Sequence, residues 1–128
     1  MRAVATERVT ITVSRPSPVL SPNGRGVWQV RAREARYARE EAYYAALAVL
    51  GSDWQPWPGR VRLLIRWCAA GRIPDLDNAA ARLKPTIDGI VAAGLMSDDD
   101  QIAGMRIERG RTEGKPRVEL VFTHEGSD

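Results

Sequence analysis

The sequence predicts an α+β fold in the order β-α-β-α-β-β: one small mixed β-sheet of about four strands with two helices packed on one face. Three observations carry this expectation. Four short runs alternate apolar and polar residues, as half-buried strands do. Two longer stretches have helical composition or spacing and end in glycine. Loops rich in proline and glycine separate several of these runs. At 128 residues the chain is expected to be a single domain, 1–128, long enough for one real core and too short for two.

Taken in order, Val9, Ile11 and Val13 alternate with Thr10 and Thr12 and read as the first strand. A loop follows, with Pro16, Pro18, Pro22, Gly24 and Gly26. Gln29 to Leu50 is rich in Ala, Arg and Glu and reads as a long helix stopped by Gly51. Its apolar second half (Tyr43, Ala46, Leu47, Leu50) is expected to face the core. Its first half carries Arg31, Arg33, Arg36 and Arg39. Pro56, Pro58 and Gly59 mark the next loop. Val61, Leu63, Ile65 and Trp67 alternate with Arg60, Arg62 and Arg66 in a second strand. A second helical region is expected at about 76–93, closed by Gly94. Pro85 should kink that helix or divide it near residue 84. Met105 and Ile107 mark a third strand, Gly110 to Pro116 a hairpin-like loop, and Val118, Leu120 and Phe122 a fourth strand.

The charge is uneven. Nineteen basic against sixteen acidic residues give +3, and Lys84 and Lys115 are the only lysines. Arginine is the better grip on phosphate, because its fork donates two hydrogen bonds; a general preference for arginine codons accounts for the ratio equally well. Cys68 stands alone, which excludes a disulfide framework and a cysteine-based zinc site. A histidine-dependent nucleophilic mechanism would have to use His124, the only histidine, close to the chain end. No apolar run is long enough to span a membrane and no signal-peptide pattern opens the chain, so the expected location is cytoplasmic, with no membrane partner.

Six aspartates fall between residues 75 and 100: Asp75, Asp77, Asp88, and the run Asp98-Asp99-Asp100. Gathered carboxylates repel one another unless a cation neutralises them. Hard oxygen ligands suit Mg²⁺, with Mn²⁺ as the substitute. A magnesium site in a basic protein points to chemistry on a phosphate backbone. In extended chain, Asp75 and Asp77 would point to the same side, and Asp77 also stands where it can cap the second helix. On a helical wheel Leu76, Leu83, Ile87 and Ile90 form the buried face, while Asp77, Lys84 and Asp88 fall within roughly 40° of one another. Lys84 and Asp88 are also spaced for an ordinary i,i+4 ion pair. Three adjacent acids are commonly a solvated turn. An EF-hand loop starting at Asp98 is excluded by Ala103 and Arg109 where Gly and Glu are required. An aspartyl phosphatase motif is excluded because Gly71-Arg72-Ile73-Pro74, and not a buried apolar strand, precedes Asp75.

Pro74-Asp75-Leu76-Asp77-Asn78, then Lys84-x-x-x-Asp88, Ala93-Gly94-Leu95 and Asp98-Asp99-x-Gln101, resemble the RusA-type Holliday junction resolvases. These are small homodimeric endonucleases, often encoded by phages and prophages. The resemblance is strong over residues 74–102 and looser over Ser21–Arg25, the arginine-rich helix and the final strands. It implies that Asp75, Asp77 and Asp99 are the metal-binding catalytic carboxylates and Lys84 the essential lysine. Lys84 lies farther beyond the Asp-Asn pair than in some members, and Arg82 is the alternative cation.

The resemblance further implies Mg²⁺-dependent, paired and symmetric hydrolysis of DNA phosphodiesters at a four-way junction by a homodimer. Asn23, Arg25, Arg31, Arg33, Arg36 and Arg82 would contact the branched DNA, with Arg60, Arg62 and Arg66 as a further grip or a solvated sheet face. Two alternatives stand beside it: a Mg²⁺ nuclease preferring flaps or other branched DNA, and a non-catalytic DNA-binding module whose acids are caps and turns.

Overall fold

Strand alternation sorts the apolar residues onto one side of a single sheet. In a computed structural model describing residues 7–22 and 27–126, the elements are β1 (Glu7–Ser14), α1 (Trp28–Leu50), β2 (Arg60–Cys68), α2 (Leu76–Arg82), α3 (Lys84–Ala93), β3 (Ile102–Arg109) and β4 (Arg117–Gly126). Short 3-10 turns occupy Pro18–Leu20 and Asp99–Gln101. The sheet order is β1-β4-β2-β3. β4 runs antiparallel to both β1 and β2, and β3 runs parallel to β2, so the sheet is mixed as expected. A parallel neighbour requires a crossover, and α2 with α3 supplies it.

Gly110 to Pro116 is therefore not a hairpin, because β3 and β4 are not neighbours and β2 lies between them. The burial of β4 gives the reason. Val118, Leu120 and Phe122 are wholly buried on one face and Val121 is nearly so on the other. Such a strand belongs in the sheet interior, so the chain must cross β2 to reach it.

Val9, Ile11, Val13, Val61, Leu63, Ile65, Trp67, Val118, Leu120 and Phe122 make the sheet half of the core. Ala42 and Ala46 of α1 and Leu83, Ile87 and Ile90 close it from the helical side. The expectation for α1 needs correcting. Leu47 is exposed, Tyr43 and Leu50 are half-buried, and the face turned inward is alanine. Small residues allow close approach, and Gly89 of α3 shows how close: a Cβ there would lie 2.2 Å from the Arg39 carbonyl oxygen of α1.

The predicted second helix is two helices. Leu83 (φ −94°, ψ 1°) ends α2 and starts α3. Pro85 sits in the first turn of α3, where its missing N–H is one that helix geometry leaves unbonded anyway. The buried face survives the break, because Leu83 itself is wholly buried at the joint. Gly94 ends α3 with φ 102°, the left-handed conformation that glycine adopts without steric cost.

Candidate active site

The acidic residues owe their positions to three junctions between elements. The first leads from β2 into α2. Asp75 is extended (φ −67°, ψ 166°) and its Oδ1 accepts the Asn78 N–H at 2.9 Å, so Asp75 is the helix cap. The expectation that Asp77 caps the helix is thus corrected: Asp77 lies in the first turn, exposed to solvent. Because α2 begins at Leu76, the two aspartates are not two apart on a strand. The stripe of Asp77, Lys84 and Asp88 is likewise interrupted at Leu83.

The second is the α2–α3 joint at Leu83, which places Lys84 at the start of α3. Its Nζ donates to Asp88 Oδ1 at 2.6 Å and to Asp99 Oδ2 at 2.6 Å. The Asp88 contact is the ordinary i,i+4 pair. The Asp99 contact is not, because it joins α3 to a turn fifteen residues onward. These two bonds raise the lysine pKa, with the Asp88 bond the largest cause and the Asp99 bond next. The same lysine holds the Asp99 carboxyl below its usual range. Lys84, Asp88, Val91, Ser97, Asp98 and Asp99 line an open hollow of about 330 Å³.

The third junction carries Asp99 and leads into β3. Asp98 opens it as a cap, its Oδ1 accepting the Asp100 N–H at 3.2 Å. Gln101 completes a capping box by accepting from the Ser97 N–H at 2.9 Å and the Asp98 N–H at 3.1 Å. The spacing Asp98-x-x-Gln101 announces this box in the sequence. Nothing in the sequence announces the other end of Gln101, whose Nε2 donates to the carbonyls of Trp57 and Gly59, both at 2.8 Å.

Arg82 is held by the fold. It donates to the Pro16 carbonyl and lies over the Trp67 ring at 5.1 Å. Burial, and after it the charge of Arg15, lowers its pKa. Its Nε and the Asn78 Oδ1 are buried without a hydrogen-bond partner. Both residues line a hollow of about 580 Å³ together with Asp75 and Arg72. Arg31 is also engaged, tying α1 to the carbonyls of Val19 and Ser21. Arg33 and Arg36 are exposed on α1, Arg36 over the Tyr37 ring. Asn23 and Arg25 lie outside the described residues. On the sheet face away from the helices, Arg62 is bonded to Glu125, and Arg66 is paired with Glu108 and Glu119, each at 3.6 Å.

Hard carboxylate oxygens suit a divalent ion. Yet no three acidic, cysteine or histidine side chains among the described residues stand together closely enough to share one. One Asp75 oxygen caps α2 and one Asp99 oxygen holds Lys84. The arrangement fits carboxylates neutralised by a lysine and does not fit a preformed metal cage.

Comparison with known proteins adds two findings. The family described as endodeoxyribonuclease RusA matches residues 13–122. An uncharacterized protein of Xylella fastidiosa is 37% identical over 89 residues, which cover 66% of this chain and 56% of that protein. The aligned stretch therefore spans a little over half the length of that relative.

Proposed function

Since the chain belongs to the RusA endodeoxyribonuclease family, whose members are nucleases acting on DNA, we propose that it resolves four-way DNA junctions by paired, symmetric phosphodiester hydrolysis. The observation that carries this reading is the Lys84–Asp99 bond. It joins the second acidic cluster to the helix that follows the first, and it involves two residues that the motif singles out.

The roles follow from the local chemistry. A lysine bonded to two carboxylates keeps its proton through the neutral range, so Lys84 is a poor proton donor and a good fixed charge. It would stabilise the phosphate oxygens as negative charge builds on them. Asp75 and Asp77 are exposed to water, with one Asp75 oxygen committed to the helix cap. Attack of water forms the new P–O bond as the bond to the departing nucleoside oxygen breaks. We take Mg²⁺, with Mn²⁺ as the substitute, as the cofactor because nucleases of this family generally depend on a divalent metal; held by Asp75, Asp77 and Asp99, such an ion would offset phosphate charge and activate water.

A homodimer suits paired nicks, because a two-fold axis presents the same site twice. Arg33 and Arg36 are exposed on α1, where they can grip backbone phosphates. No helix of the described residues is long and apolar enough to cross a membrane, and the reading places the protein with DNA in the cytoplasm, in recombination and repair.

The test is to incubate the purified protein with a synthetic four-way junction, a flap and a linear duplex, with and without Mg²⁺. Symmetric Mg²⁺-dependent nicks in the junction are expected. Preferential flap cleavage would favour the related structure-selective nuclease, and binding with no cleavage under any metal would favour the non-catalytic module.

A further inference from the structure

Asp99 sits on a three-residue turn, and a turn of that length has little stiffness of its own. What fixes its place is a seam between residues 95–101 and the loop before β2. The Trp57 N–H donates to the Leu95 carbonyl at 2.9 Å, and Trp54 Nε1 donates to the same oxygen at 3.3 Å. Trp57 also bridges Met96. Past Met96, the seam is continued by the side chain of Gln101, which uses both ends of its amide. Its oxygen takes the N–H groups of Ser97 and Asp98, and its nitrogen gives to the carbonyls of Trp57 and Gly59.

The wall that Gln101 grips is buried and packed. Trp57 is 3% exposed. Its ring stacks on His124 with centroids 5.2 Å apart and planes 8° apart, and packs edge-on against Trp54 at 5.4 Å. His124 Nε2 donates to the Pro58 carbonyl at 2.6 Å, tying the loop to β4. The turn bearing Asp99 is thereby referenced to the sheet, and the Lys84–Asp99 distance follows from that reference.

We propose that Gln101 is a positioning residue for the nuclease site: its side-chain amide docks the Asp98–Gln101 turn onto the Trp57–Gly59 loop and so holds Asp99 against Lys84. This inference rests on the reading of Asp99 as a working carboxylate. It is distinct from capping, which needs only the amide oxygen. A capping box accepts Glu as readily as Gln, whereas docking onto two carbonyls needs a donor, which a carboxylate lacks.

Two variants and two readouts test it in the full-length protein. Gln101→Glu keeps the cap and loses the dock; Gln101→Met loses both. Amide hydrogen exchange at Ser97 and Asp98 should be markedly faster in Gln101→Met than in wild type. Single-turnover cleavage of a synthetic four-way junction, corrected for folded fraction, should fall by roughly 10²-fold in both variants with junction affinity within about twofold, because a small misplacement of a reacting group carries that cost. Full cleavage by Gln101→Glu would overturn the proposal and leave Gln101 as a cap. Unchanged exchange in Gln101→Met would overturn it structurally. Wild-type cleavage by Asp99→Asn would instead remove Asp99 from the site, and with it the role drawn here for Gln101.

Discussion

Lys84 shows how one side chain can be both an expected helical pair and a link that spacing does not reveal. Its bond to Asp88 is legible at i,i+4; its bond to Asp99 depends on how a later turn folds back. Acid titration reads that link. The carboxyl of Asp99 is depressed in the folded state, first by Lys84. A depressed acid contributes stability above its unfolded pKa and loses it as pH falls through the folded value. Wild type should therefore exceed Lys84→Met in unfolding free energy from urea titration at pH 7, by at most about 1 kcal/mol because the pair is solvent-exposed. The two should converge as pH falls through the depressed folded pKa of Asp99. A gap that persists in acid would show that Lys84 matters through packing alone. Asp75 separates cap from chemistry. Asp75→Ala should lose about 1 kcal/mol and melt about 3–6 °C lower, while Asp75→Asn should melt near wild type, because asparagine caps as well. Both should lose junction cleavage; retained cleavage in Asp75→Asn would reduce that residue to its cap. Asp77→Asn should cleave as poorly as Asp75→Asn. Asp98→Asn and Asp100→Asn should be milder, since Asp98 caps the turn and Asp100 is exposed.

At the scale of elements, strands were the most legible part of the sequence. Period-two alternation located all four, and the structure lengthens each at its ends. What alternation does not encode is which strand lies beside which, so the loop from Gly110 to Pro116 reads as a hairpin although it crosses β2. Helix composition marked α1 and, through Ala46 and Leu50, part of its buried face. Apolar size pointed to Leu47, whereas close helix packing selected Ala42 and Ala46. The joint at Leu83 was signalled by Pro85, and the wheel of buried residues passed through it unbroken. The α1–α3 contact is the tightest point. Gly89→Ala would push a methyl group into the Arg39 carbonyl, and should destabilise the fold by about 1–3 kcal/mol, a cost typical of overpacking. Urea unfolding measures it, and an unchanged midpoint would mean that the two helices slide apart freely. Pro85→Ala should change little, because proline in a first helical turn removes no bond that the helix would make.

Across the whole molecule, charge falls on two surfaces with different roles. The bare sheet face has an open hollow of about 550 Å³ bordered by Arg8, Arg62, Arg66 and Arg106, yet Arg62 and Arg66 are already matched by Glu125, Glu108 and Glu119. Arg33 and Arg36 carry no such ion pair among the described residues. The salt dependence of junction binding distinguishes the surfaces. Arg33→Ala with Arg36→Ala should lower the slope of log K against log salt by about 2, one for each phosphate no longer neutralised. Arg62→Ala should leave it unchanged, and the reverse pattern would move the DNA to the sheet face. Spacing and a family resemblance picked out the candidate acids in the sequence. The Lys84–Asp99 bond was not legible, because it forms only when the turn at 99–101 comes back against α3. The most direct test of a nuclease centred on these residues is single-turnover cleavage of a four-way junction in Mg²⁺ by wild type and Asp99→Asn, with binding measured in parallel. Paired nicks by wild type are expected, with none by Asp99→Asn and equal or tighter junction binding by the variant. Cleavage by Asp99→Asn at the wild-type rate would contradict the assignment.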